Sequence, residues 1–288
     1  LATLPFPQIA RWPPSRRDWL NQPLDRDADV AWIRALPKIE LHCHLGGFAT
    51  HGDDLAQVRD AAERDVGSLK DRDQGTNWPI PDREIGLQNY RALGDNNGSA
   101  LLSDPGCLRK HIDLLYQHLQ KQNIIYAEIR CSPANYTTDG RSPWNVLSDI
   151  LGHFSRCQAA AEEAGHLAPQ INLIITATRQ SEGDFRTHIS RHLALAATSA
   201  EHWTNPSQPR VVGVDLAGFE SKETRALYFR EDFTAVLRLG LGITIHAGEN
   251  DGPEGIWSAI LDLNTRRLGH ALHLRESPTL LRTVADRH

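Results

Sequence analysis

No methionine occurs anywhere in this chain, position 1 included. A natural chain of 288 residues ordinarily carries several, so the expectation is that methionines and other residues have dropped out of the sequence and that spacings along it are lower bounds. Also missing is any apolar run near the roughly 20 residues that a bilayer-spanning helix needs, which sets membranes aside as partners. No secretory leader is visible at the start. Charge of one sign is not in excess: 31 Lys and Arg stand against 36 Asp and Glu, a formal net charge of −5, so there is no basic field to hold a nucleic acid. The four cysteines, Cys43, Cys107, Cys131 and Cys157, include no C-x-x-C pair, which suits reduced thiols in a cytoplasmic protein better than a disulfide framework. Nothing in the sequence specifies an oligomeric state.

What is present is ordinary globular composition, 40% hydrophobic and 23% charged, and a repeating type of pattern. After a lead-in rich in Pro, Arg and Trp, six apolar runs of strand length recur: "KIELHCHL" at 38–45, "IIYAEIRC" at 124–131, "INLIITAT" at 171–178, "VVGVDLAG" at 211–218, "LGITIHAG" at 241–248 and "RRLGHAL" at 266–272. Near-continuous runs of this kind are expected of parallel strands buried on both faces. Helical patterns lie between them. The clearest places Leu108, Ile112, Leu115 and Leu119 on one stripe after a cap at Ser103 or Asp104. Others cover about 144–163, 185–200, 222–239 and 254–263, with a last one near 276–286. Strand and helix alternating at this pitch predict a parallel α/β sheet, either open or closed into a barrel. "HLGGF" after the first strand lacks the G-x-G-x-x-G spacing of a phosphate loop, so the barrel is favoured.

In a (β/α)8 TIM barrel the chemistry sits at the C-terminal ends of the strands, and the unusual residues fall there. His42 and His44, two apart on a strand, share one face at the end of the first run; the fifth ends in His246 and Glu249; the sixth carries His270. Neutral imidazoles suit zinc, and a catalytic zinc keeps a position open for water. His42, His44 and His246 would supply three nitrogens to Zn2+. Glu249 is placed to donate a proton, and His270 to orient the attacking water or move its proton. The helical histidines His111, His118, His153, His188 and His192 read as solvated or partly packed positions without a role. Competing zinc signatures, H-E-x-x-H and P-C-x-x-C, are absent.

Five motifs in order, "LPKIELHCHLGG", "YAEIRCSP", "VVGVDLAGFE", "ITIHAGE" and "RRLGHALHL", resemble the adenosine deaminase family of metal-dependent barrel hydrolases. The resemblance runs from Leu36 to the end, with residues 1–35 an N-terminal extension. It implies zinc on His42, His44 and His246, protonation of the purine ring nitrogen N1 by Glu249, and a water positioned by His270. It also implies a backbone approach to the purine at Gly218. The expected partner is a small purine nucleoside or nucleotide, whose C6 amino group leaves as ammonia.

Two departures from the family pattern carry expectations of their own. Gly46 stands where the family usually has an acidic residue near the sugar 5′-hydroxyl. Without that charge, and with the space a Gly46-Gly47 pair leaves, a 5′-phosphorylated adenine nucleotide is expected to fit. The family's last ligand is an Asp on strand eight. Six strands are visible here, so that Asp and the closing strands are expected beyond His288. The alternatives are another amidohydrolase reaction, on a related aminopurine or a cyclic amide, and a non-catalytic deaminase-like scaffold.

Overall fold

Six β-branched, apolar runs become six strands, all parallel, in the computed structural model, which describes residues 26–49, 52–64, 99–179 and 184–287. They are β1 (Lys38–His44), β2 (Ile124–Cys131), β3 (Gln170–Arg179), β4 (Val211–Gly218), β5 (Gly242–Ala247) and β6 (Arg267–His270), hydrogen-bonded in that order. Sequence order equals spatial order because each connection is a right-sized crossover carrying a helix back over the sheet. Those helices are α3 (Pro105–Lys121), α4 (Pro143–Glu163), α5 (Phe185–His202), α6 (Arg230–Arg238) and α7 (Pro253–Asp262). Before them stand α1 (Arg26–Ala35) and α2 (Gly52–Asp60), and α8 (Pro278–Asp286) follows β6. Helix α1 belongs to a separate N-terminal unit that ends at Pro37; Lys38–His288 is the unit containing the sheet. Among the described residues no helix is long and apolar enough to cross a membrane.

The sheet is curled. In a flat sheet β1 and β5 would lie four strand spacings, roughly 19 Å, apart. Instead the imidazoles of His42 and His246, on those two strands, meet at 3.2 Å. Arg130 on β2 likewise reaches Thr244 on β5 at 3.4 Å. Side chains from opposite strands that touch across an interior mean a barrel, and these are six of the eight strands of a TIM barrel.

Local sequence explains the helix starts. Of the two caps considered for α3, Asp104 is the one used: its carboxylate accepts from the Cys107 N–H, and Pro105 takes the first helical position. Leu108, Ile112, Leu115 and Leu119 are then all buried, each worth about 1.5–3 kcal/mol relative to exposure. Helix α4 starts with a reciprocal box between Ser142 and Asn145. The expected helix over 222–239 is different. Its first half is two 3₁₀ turns, Lys222–Thr224 and Ala226–Phe229, separated by Arg225 in an extended conformation at φ −62°, ψ 155°. Arg225 is held there by Asp251 through two hydrogen bonds, 2.6 and 3.0 Å, which a continuous helix would break. The sixth strand also ends early, at His270, because Ala271 turns into the left-handed region at φ 52°.

Candidate metal centre

Alternation along β1 puts His42 and His44 on the inner face, as the spacing requires. Their Nε2 atoms each lie 3.2 Å from Nε2 of His246, at the end of β5. His246 is buried and its other ring nitrogen, Nδ1, lies 3.0 Å from Oδ1 of Asp215 on β4. Asp215 is fully buried. Burial alone would raise its carboxyl, but His246 and the guanidinium of Arg130, 3.1 Å away, outweigh this and hold it well below the usual carboxylate range. An ionised carboxylate only accepts, so the His246 proton sits on Nδ1 and its Nε2 presents a lone pair.

That tautomer makes the triad an incomplete hydrogen-bonded cluster. Both His42 and His44 press ring nitrogens on one lone pair, and only one N–H fits there at a time. Burial, with the Arg130 charge adding to it, pushes His42 down to about 4; burial, with His246 adding to it, pushes His44 down to about 3. Both are therefore neutral near pH 7. Two nitrogens bound at about 2.0–2.1 Å to a tetrahedral zinc lie about 3.3 Å apart, close to the spacing found. Three imidazoles converging at that distance, one of them oriented by a buried carboxylate, fit a divalent cation of the zinc type.

His270 joins them from β6. Its ring centroid is 5.1 Å from that of His42 and 4.9 Å from that of His246. It is aimed there by backbone strain: His270 and Ala271 both adopt positive φ, 64° and 52°, at a cost of about 1–2 kcal/mol each for a residue with a Cβ. Glu249 lies past Gly248, itself at φ 72°, and its Oε1 stands 3.6 Å from Nε2 of His270. Desolvation keeps His270 below its ordinary value, the Glu249 charge working against it. All five polar groups expected at the barrel mouth are thus brought together.

The two glycines behave differently. Gly218 sits at φ 96°, and a Cβ there would come within 2.3 Å of the Arg179 carbonyl oxygen, so no other residue fits. Gly47 has room for a Cβ, with His44 Cβ the nearest neighbour at 3.7 Å, whereas Gly46 is more confined. It is buried in a 3₁₀ turn, and the room beside it is taken: a Cβ would meet the Ser99 hydroxyl at 2.1 Å. The side chain that fills the space comes from a residue far along the chain, which the Gly-Gly pair by itself does not reveal. Two of the helical histidines depart from the sequence pattern, since His111 and His192 are fully buried rather than solvated or partly packed.

Four charged groups around the site had no place in the sequence reading: Arg130, Asp215, Arg179 and Glu220. A signal existed, because a lone charge inside an apolar strand such as "VVGVDLAG" must be paired if buried. Elsewhere, Asp113, His153 and Cys157 also bring ligand-type atoms together between α3 and α4. There Arg156 lies 2.9 Å from His153 Nδ1, and a guanidinium only donates. The hydrogen is therefore on Nε2, which donates a hydrogen bond to Asp113 at 2.7 Å, and the His153 lone pair faces away from Asp113 and Cys157.

A family model described as adenosine deaminase matches residues 37–288. The chain belongs to the adenosine deaminase family. It is 28% identical over 268 residues to an adenosine deaminase of Clostridium kluyveri, covering 88% of this chain and 68% of that protein. It is 32% identical over 251 residues to an adenine deaminase of Mesorhizobium japonicum, covering 86% and 69%. Among solved structures, the arabidopsis N6-mAMP deaminase superposes with a TM-score of 0.64 at 22% identity, covering 88% of this chain and 71% of the other. The last comparison speaks to fold alone. Family membership makes this a hydrolase fold whose members use a metal.

Proposed function

We propose that this chain carries the metal-binding and acid–base groups of a zinc-dependent deaminase acting on an adenine ring. His42, His44 and His246 would hold zinc, with Asp215 fixing the tautomer of His246 and Arg130 fixing Asp215. When bound, zinc supplies Lewis acidity and lowers the pKa of the attacking water. His270 faces the same point as the three imidazoles and takes up or steers the proton of that water. Glu249, beside it, donates a proton to ring nitrogen N1, so that C6 accepts the oxygen and the amino group leaves as ammonia. Gly218, where no side chain fits, leaves backbone beside the purine.

The observation that carries this reading is the pair of 3.2 Å contacts on one His246 lone pair whose direction Asp215 sets. Relatives named for adenosine and for adenine, and a fold neighbour named for a methylated AMP, leave the group on N9 to experiment. At Gly46 the acidic repulsion is gone, which favours a phosphorylated substrate, but Ser99 occupies the room. Ammonia release from adenine, adenosine and AMP, measured on zinc-loaded protein, tests the proposal and ranks the three. Release from none of them, with the metal bound, would overturn it.

A further inference from the structure

Resting on the proposed role of Glu249, the geometry points to Glu220 as the positioning residue for that proton donor, with Arg179 holding Glu220 in turn. The chain leaves β5 through Gly248 at φ 72°, and the next three residues have no ladder to pair with. Their N–H groups converge on a single oxygen. Glu220 Oε2 accepts from Glu249 at 3.1 Å, from Asn250 at 3.2 Å and from Asp251 at 3.0 Å. Three donors on one buried carboxylate oxygen fix the backbone of that loop, and hence the Cα from which the Glu249 side chain starts.

The other side of Glu220 faces Arg179, the last residue of β3, whose Nη2 lies 3.6 Å from Oε1. Both are buried. The same guanidinium donates to the His246 carbonyl at 2.7 Å, to Ala217 at 3.3 Å and to Thr224 at 3.3 Å. One ion pair therefore ties together the ends of β3, β4 and β5, and it touches the main chain of both His246 and Glu249. The distance between the imidazole that would hold metal and the carboxyl that would donate the proton is set through it. Arg225 closes the loop from outside by gripping Asp251. Among the described residues the Glu249 side chain pairs with His270 alone, at 3.6 Å, so its placement comes from the backbone.

A residue that only stabilised the fold would behave differently from one that positions a donor. In the full chain, Glu220→Ala should speed amide hydrogen exchange at Glu249, Asn250 and Asp251 by about tenfold or more while Ile243 and Ile245 in β5 keep their protection. It should lower kcat by about ten- to a hundredfold, leaving KM and bound metal within about twofold. In a Glu249→Gln background the same change should do nothing further to kcat, because the group it positions is already disabled. Glu220→Gln, which keeps an acceptor oxygen, should recover most of both losses. If Glu220→Ala does not fold, Glu220→Asp withdraws the carboxylate by one methylene and serves instead. Unchanged exchange at the three amides overturns the inference, as do equal multiplicative losses of kcat in the two backgrounds. Exchange decides the matter even without turnover, and wild-type kcat in Glu249→Gln alone would reject the donor role rather than the loop anchor.

Discussion

Among the described residues, ligand-type side chains gather in two places, and they differ in where a histidine lone pair points. At the barrel mouth the outer nitrogen of His246 meets a carboxylate, which accepts a hydrogen bond and turns the lone pair inward. Between α3 and α4 the outer nitrogen of His153 meets Arg156, which donates a hydrogen bond and turns the lone pair outward. In both places the ligand-type atoms lie within 4.8 Å of one another, contributed by histidines and Asp215 at the barrel mouth and by Asp113, His153 and Cys157 between the helices. The difference is one hydrogen bond away from the ligand-type atoms, and on the proposed function it is what separates a metal centre from an ion pair.

The comparison breaks first at the chemistry. Glu249→Gln should lower turnover by about 10²–10⁴-fold with fold and metal content unchanged, whereas His153→Ala should leave turnover as it is. Steady-state ammonia release checks both, and a normal rate in the Glu249 variant removes the proton donor from the scheme.

Stability against pH separates the buried helical histidines from exposed ones. Burial pushes His111 and His192 down to about 4. Above pH 6.5 they are neutral whether folded or not and contribute no slope. As pH falls from about 6.5 toward 4 the unfolded chain takes up protons that the folded one refuses, so stability is lost across that window. The loss approaches about 3 kcal/mol per histidine as an upper bound. Denaturant unfolding from pH 7.5 to 4.5 should show the decline, flattened in His192→Leu; a variant that declines as steeply as wild type contradicts the assignment.

A smaller effect sharpens the second-layer contrast. Asp215→Asn keeps the shape but lets an amide donate, so metal affinity should fall about 10–100-fold. Competition with a chelator measures it, and an unchanged affinity would mean that Asp215 does not set the His246 tautomer. Smallest is Ala271→Gly, which relieves a left-handed φ of 52° and should add about 1 kcal/mol to stability by chemical denaturation. A loss of stability there would show that the strain is absent.

Strand positions and the histidine set were legible because they follow from short-range pattern: apolar β-rich runs, and polar side chains where those runs end. What escaped is what the fold brings from a distance. Arg130 and Asp215 pair across 85 positions, and Arg179 reaches His246 across 67. A single buried charge in an apolar run says that a partner exists but not which one. Gly46 shows the same limit, since the space it leaves is filled by Ser99 from another turn. The 222–239 segment has helical periodicity throughout, yet the Arg225–Asp251 pair stops a continuous helix, and periodicity does not see a tertiary ion pair.

Metal content per chain, compared across the two clusters, tests the central claim most directly. After loading with zinc and removing excess, wild-type protein and an Asp113→Ala, Cys157→Ala variant should each hold about one zinc, and a His42→Ala, His246→Ala variant none. Zinc retained by the histidine variant, or lost from the Asp113 and Cys157 one, would contradict it.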